Sequence, residues 1–155
     1  MDPILRPPPK CRVSRLGAAD LVLARQAFSM MAEVFETEHL PLSDAYVERL
    51  LARADFWVLV ASVDEEVVGA LTGHALPLTS REAAELFIYD IAVRPSHQRK
   101  GVGRRLVEQL RALAGDAGIA VAFVPADDED QHALEFYRAL GGVASPVTFF
   151  TFGDA

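Results

Sequence analysis

Residues Phe56 to Pro77 read FWVLVASVDEEVVGALTGHALP, two β-rich apolar runs separated by the acidic turn DEE. This stretch limits the fold more than any other, because two such runs with a short polar break between them make an antiparallel hairpin. A third strand is expected from Ala84 to Val93, AELFIYDIAV, and its nearly continuous apolar character places it centrally in a sheet.

After Val93 the order becomes an alternation. A helix is expected from Val102 to about Ala114 on the stripe Val102, Leu106, Leu110 and Leu113. It is followed by a strand over Gly118–Ala126, a helix in DQHALEFYRALGG closed by Gly141, and a last strand over Val147–Phe152. Upstream, RVSRL (Arg12–Leu16) reads as a short first strand, and Gly17 to Asp20 as a turn with an N-cap. Leu21, Ala24, Phe28, Met31 and Phe35 share one helical stripe. Ser43 can cap a second helix to about Arg53, with Val47, Leu50 and Leu51 inward. A hairpin followed by β-α-β-α-β implies an α/β (α+β) sandwich on a mixed sheet.

Length and composition set the outer bounds. At 155 residues the expectation is one domain, residues 11–155, behind a mobile leader, MDPILRPPPK, over residues 1–10. The leader carries four prolines and no long apolar segment, which fits neither a signal peptide nor a spanning helix. Apolar residues at 51% and charged residues at 24% describe a globular chain and not a disordered one. The net charge of −7 disfavours nucleic acid and is compatible with a cationic partner. Cys11 is the only cysteine, so neither an intrachain disulfide nor a cysteine metal site is expected, and a cytoplasmic location fits. His39, His74, His97 and His132 are scattered without metal-ligand spacing, so no metal is expected.

Against that acidic background, VRPSHQRKGVGRRLVEQL (Val93–Leu110) gathers five basic residues around two glycines. It lies where the third strand hands over to a helix. A helix N-terminus offers unpaired N–H groups and the positive end of the dipole, and glycine lets backbone approach an anion closely. Arg99, Lys100, Arg104 and Arg105 add charge around that mouth, so the implied ligand is a pyrophosphate. The P-loop and dinucleotide fingerprints are both missing.

The segment IAVRPSHQRKGVG, Ile91 to Gly103, contains the signature [QR]-x-x-G-x-[GA] after a strand and a V-x-P bend, and ALEFYRALG (Ala133–Gly141) contains A-x-x-F-Y-x-x-L-G. In both motifs and their order the chain resembles the GNAT superfamily of acetyl-CoA-dependent N-acetyltransferases over roughly Leu16 to Phe152. The resemblance implies a GNAT-like fold, a mixed and mostly antiparallel central sheet flanked by helices and splayed at its central strands. It implies acetyl-CoA as co-substrate, held by Ile91, Ala92 and Val93 and by the loop Gln98, Arg99, Lys100, Gly101, Val102, Gly103 and Arg104. The N–H groups of Ile91 and Val93 would hold the pantetheine and the thioester carbonyl. Tyr137 would protonate the departing thiolate. Where relatives carry Asn before this tyrosine the chain has Asp130, to which no coenzyme contact is carried over.

The hairpin, the strand IYDIAV (Ile88–Val93) and the acidic ADDEDQHALEFY resemble the aminoglycoside 3-N-acetyltransferase type I group within that superfamily. That implies an antibiotic-resistance enzyme with an aminoglycoside acceptor and direct transfer in a ternary complex. Where relatives commonly end in a hairpin this chain has one expected strand, so a partner subunit in a homodimer is one source of the missing acceptor wall.

An ammonium must lose a proton before it can attack a thioester. Asp90 is the only charged residue between Leu86 and Val93, and burial among apolar neighbours would raise its pKa toward that of a useful base. A structural carboxylate paired with an arginine is the alternative. Asp127, Asp128, Glu129 and Asp130 cap the next helix or, with Glu33, Glu36 and Glu38, build a negative funnel for a polycation. The expected acceptor residues are Glu33, Glu36, Tyr89, Asp90, Asp127, Asp128 and Glu129. Two other functions fit the same residues: acetyl transfer to a polyamine, another small amine or a protein amine, and a noncatalytic acyl-CoA sensor.

Overall fold

The computed structural model describes residues 10–154, so the expected leader lies outside the described residues except for Lys10. The chain forms two compact units, divided between Val124 and Pro125.

The first unit is a sheet with three helices. Its elements are β1 (Arg12–Arg15), α1 (Leu21–Phe35), α2 (Asp44–Ala52), β2 (Phe56–Val63), β3 (Glu66–Pro77), β4 (Ala84–Val93), a short 3-10 turn (Pro95–His97), α3 (Val102–Asp116) and β5 (Ala122–Phe123). The strands lie in the order β1-β2-β3-β4-β5. Neighbours are antiparallel except β4 and β5, which are parallel, so the sheet is mixed and mostly antiparallel, as expected. The hairpin turns at Asp64 and Glu65, whose positive φ values of 49° and 65° suit the right-handed twist of the flanking strands. Glu66 already belongs to β3. The strand at the middle of the sheet is β3, and β4 lies between β3 and β5.

Helices α1 and α2 cover one face. Ala24, Ala27, Met30 and Met31 of α1 and Val47 and Leu51 of α2 form one core cluster with Val58, Val60, Ala70 and Ala92 of the sheet. The α1 stripe is wider than expected: Ala24 and Met31 are buried and Leu21 and Phe28 pack against the cluster, Ala27 and Met30 join them, and only Phe35, expected inward, is 42% exposed. Ser43 caps α2 as its position suggested, its Oγ accepting from the Tyr46 N–H at 3.1 Å.

Helix α3 packs on the opposite face. Gly69 precedes the cluster residue Ala70 and so points the other way, where an added Cβ would lie 2.9 Å from Val102 Cγ1 and 3.2 Å from Leu106 Cδ1. The missing side chain lets the first turns of α3 press against β3 beside the end of β4, because Gly69 pairs with Val93.

Two expected strands are corrected. Gly118–Ala126 gives only Ala122–Phe123, because its first residues close α3: Gly118 takes φ 78°, and the Ile119 N–H donates to the Ala114 carbonyl at 2.8 Å. Val147–Phe152 forms no strand. β-propensity requires a neighbouring strand to pair with, and here Val147, Phe149, Phe150 and Phe152 stand 70–95% exposed. In the second unit the only regular element among the described residues is α4 (Gln131–Ala139). Gly141 follows it at φ 89°, and the Gly142 N–H donates to the Tyr137 carbonyl at 2.9 Å.

Gly69→Val should destabilise the fold by about 1–3 kcal/mol through overpacking against the stiff, buried Val102. Urea denaturation measures it, and an unchanged midpoint would show that α3 can yield.

Candidate active site

The site begins with a strand edge that loses its neighbour. β4 pairs with β5 only at Leu86–Ala122 and Phe87–Phe123, although β4 runs on to Val93. Beyond Phe87 that edge has no strand beside it among the described residues. The Arg94 N–H donates to the Val68 carbonyl on the β3 side at 2.8 Å. Peptide groups alternate along a strand, so Ala92 also turns its N–H toward β3, while Ile91 and Val93 turn theirs toward the open edge. The Ala92 side chain lies in the core beneath α1. Gln98 reaches back to this edge, its Nε2 donating to the Val93 carbonyl at 2.9 Å.

The loop after β4 then forms an anion notch. Arg99 and Gly101 take positive φ values of 60° and 82°, and Gly101 is the N-cap of α3 with no side-chain cap. The first helical bond is from the Arg105 N–H to the Gly101 carbonyl at 3.1 Å, so the N–H groups of Val102, Gly103 and Arg104 have no acceptor within the helix. A Cβ on Gly101 would meet no atom within 4 Å, which leaves room beside those donors.

The nearby cations divide by their engagements. Arg94 donates to the Val67 carbonyl at 3.0 Å and pairs with Glu33 at 3.3 Å and Glu66 at 3.6 Å. Arg105 donates to the Cys11 carbonyl, and Arg104 pairs with Glu108 at 3.4 Å. Arg99 and Lys100 are exposed and form no ion pair with a described residue. Three unsatisfied amides, a left-handed glycine and two unengaged cations suit a diphosphate.

Asp90 lies on β4 at a bulge. The register runs Thr72–Asp90 and then Gly73–Ile88, leaving Tyr89 without a partner on β3. Gly73 permits the close approach, since a Cβ there would lie 3.2 Å from the Phe87 carbonyl oxygen. A glycine inside a strand is the sequence signal for such a bulge. Asp90 is half-buried opposite the buried Thr72 and makes neither an ion pair nor a side-chain hydrogen bond with a described residue. The arginine partner that a purely structural carboxylate would need is therefore missing among them. Burial pushes the Asp90 carboxyl above the ordinary aspartate range.

The other expected acceptor residues have varied surroundings. Glu33 is tied to Arg94, whereas Glu36 is exposed in the left-handed conformation that ends α1. In the second unit Asp127 Oδ1 accepts from the Glu129 N–H at 2.9 Å, and Asp130 Oδ1 caps α4 by accepting from Ala133 at 3.0 Å. Two of the four clustered acids thus serve local turns, while Asp128 and Glu129 extend into solvent. Tyr137 is half-buried on α4, its ring edge-on to Phe136 at 5.1 Å between centroids. Burial, and then the Asp130 carboxylate, hold its phenol above the usual tyrosine value. No group of three or more potential metal ligands occurs among the described residues, and no described helix is long and apolar enough to cross a membrane.

The family described as Acetyltransferase (GNAT) family matches residues 23–141. The chain belongs to the GNAT acetyltransferase family. Among solved structures, an aminoglycoside acetyltransferase from an uncultured soil metagenomic sample, in complex with trehalose, is 30% identical with a TM-score of 0.88 and covers 94% of this chain and 97% of its own. Its complex with sisomicin gives 28% and 0.89 over the same shares. A second such enzyme, also from an uncultured soil metagenomic sample, gives 32% and 0.87 over 94% and 99%. No curated protein matches the sequence. This GNAT protein is an N-acetyltransferase, stands close to aminoglycoside acetyltransferases, and uses acetyl-CoA.

For this acetyltransferase, Gly101→Asp should weaken acetyl-CoA binding at least tenfold by calorimetry, through strain at positive φ and a carboxylate beside the phosphates. Asp90→Asn should separate stability from activity. A carboxyl whose pKa is raised in the folded state contributes stability at low pH that is lost as pH rises through the folded value. Near neutral pH the variant should therefore melt at or above the wild-type temperature while acetyl transfer falls, and its thermal advantage should vanish below about pH 4.

Proposed function

We propose that this acetyltransferase transfers acetyl from acetyl-CoA to the 3-amine of an aminoglycoside, directly and within a ternary complex. The observation that carries the proposal is the unpaired, half-buried Asp90 beside the open edge of β4. Acetyl-CoA supplies an activated acyl group. Val102, Gly103 and Arg104 present amides to its diphosphate, with Arg99 and Lys100 adding charge, and Ile91 and Val93 present N–H groups along the edge. Asp90 accepts the ammonium proton, directly or through water, which its raised pKa favours. Tyr137 serves as the acid for the leaving thiolate. Its role rests on the motif ALEFYRALG, and a phenol held protonated suits it.

The acceptor class is supported by near-full-length likeness to aminoglycoside acetyltransferases, one solved with a cationic aminoglycoside and with a neutral disaccharide. Tyr89, Glu33, Glu36, Asp127, Asp128 and Glu129 are the remaining acceptor residues of the proposal. Acetylation removes a positive charge from the drug, which gives a resistance role in the cytoplasm. The proposal includes a homodimer, supported by the exposed apolar run Val147, Phe149, Phe150 and Phe152.

Mass spectrometry of sisomicin, spermidine and lysine peptides incubated with enzyme and acetyl-CoA tests the acceptor. One acetyl group on the 3-amine of sisomicin is expected, and modification of spermidine or peptide alone would contradict it. Tyr137→Phe should lower kcat by about 10²-fold or more with little change in the KM for acetyl-CoA. Wild-type turnover across the pH range would remove the acid role.

A further inference from the structure

Five aromatic side chains cross the sheet in an unbroken ladder near Asp90. Phe56 of β2 meets His74 of β3 at 5.2 Å between centroids, and His74 meets Tyr89 of β4 at 5.8 Å. Tyr89 meets Phe87 at 5.8 Å, and Phe87 meets Phe123 of β5 at 5.1 Å. The cross-strand register explains the alignment, since Phe56 pairs with His74, His74 with Phe87, and Phe87 with Phe123. The bulge brings Tyr89 within reach of both His74 and Phe87.

Phe56 packs against the core cluster, and the ladder leads outward from it. Tyr89 is 62% exposed and Phe123 41% exposed, while Phe56, His74 and Phe87 are half-buried. Four strands at ordinary spacing give it a width of about 14 Å, suited to linked sugar rings. Neither β3 nor β4 carries a lysine or arginine, and Asp90 adjoins the most exposed ring. Such a surface offers π faces to C–H groups and to ammonium, with a carboxylate alongside.

We infer that the ladder Phe56–His74–Tyr89–Phe87–Phe123 is a stacking shelf for the pyranose rings of an amino sugar, with Tyr89 as the determinant that favours a cyclic over an open-chain polycation. The inference rests on the acceptor reading above and deepens it. Charge alone does not separate the two classes, because spermidine and an aminoglycoside both present several ammonium groups. Contact between an aromatic ring and sugar C–H groups does separate them, and Tyr89, at 75° to His74 and 90° to Phe87, is the ring of the ladder most exposed to make it.

The test compares wild type with Tyr89→Ala, Tyr89→Leu and Tyr89→Phe, using thiol release with sisomicin and with spermidine. The exposure of Tyr89 makes all three compatible with the fold, which melting curves verify. Tyr89→Ala should raise the KM for sisomicin by about fivefold to tenfold and that for spermidine by about twofold or less, with the KM for acetyl-CoA unchanged. Tyr89→Phe should restore it and Tyr89→Leu should not. Rescue by leucine equal to that by phenylalanine, or an alanine effect under twofold, would overturn the shelf. Conversion of a dimer to a monomer by Tyr89→Ala in sedimentation would also overturn it, assigning the rings to a second copy. If wild type acetylates no aminoglycoside, the acceptor reading fails, and saturation-transfer NMR with trehalose then decides the shelf. Saturation of the sugar ring protons that is lost in Tyr89→Ala supports it, and no saturation with wild type rejects it.

Discussion

The parting of β4 from β5 after Phe87 is the constraint on which the rest of this molecule depends. A strand that kept its parallel neighbour to Val93 would satisfy the peptide groups of Ile91 and Val93 within the sheet. Here β5 is two residues long, because Gly118 and Ile119 close α3 and Pro125 follows soon after. The freed edge then ends beside the N-terminus of α3. Gly69 and Gly101 serve this junction in different ways, one by letting the helix press onto β3 and the other by turning the chain into it. The result is a line of backbone donors leading to an anion notch.

Electrostatics separates the two co-substrates. The chain is acidic overall, at −7, yet Arg99 and Lys100 at the notch have no ion partner among the described residues, while Arg94 and Arg105 are engaged with the protein itself. The notch thus suits a polyanion, on a chain whose net charge favours cations. Asp90 sits on the same strand as the donor amides, so one element can present both acceptor base and acyl-carbonyl donors. Its bulge angles a carboxylate and an aromatic ring toward the face that bears the ladder.

Much of this was legible in the sequence, for identifiable reasons. The limits of β2 and β4 follow from apolar runs bounded by turns, and Ser43 marks its helix by the chemistry of its hydroxyl. The glycines of QRKGVG mark the turn into α3, where Gly101 takes the left-handed N-cap position. What escaped depends on neighbours distant in sequence. The α1 stripe took in Ala27 and Met30 and lost Phe35 because the packing partner, not the helix, decides where the buried face ends, and Val147–Phe152 has strong β-propensity but no paired edge. The engagement of Glu33 with Arg94 joins residues far apart in the chain, so no local pattern announces it. The aromatic ladder likewise exists only once four strands are in register, although Gly73 hinted at the bulge that completes it.

The central claim is that acetyl-CoA lies along the open edge of β4 with its diphosphate at the start of α3. Amide hydrogen exchange of the intact protein, followed by NMR with and without saturating coenzyme, tests it most directly. The account predicts marked slowing at Ile91, Val93, Val102, Gly103 and Arg104, with Ala92 unchanged because its N–H already faces β3. Protection elsewhere that left those five amides exchanging as in the free protein would contradict it.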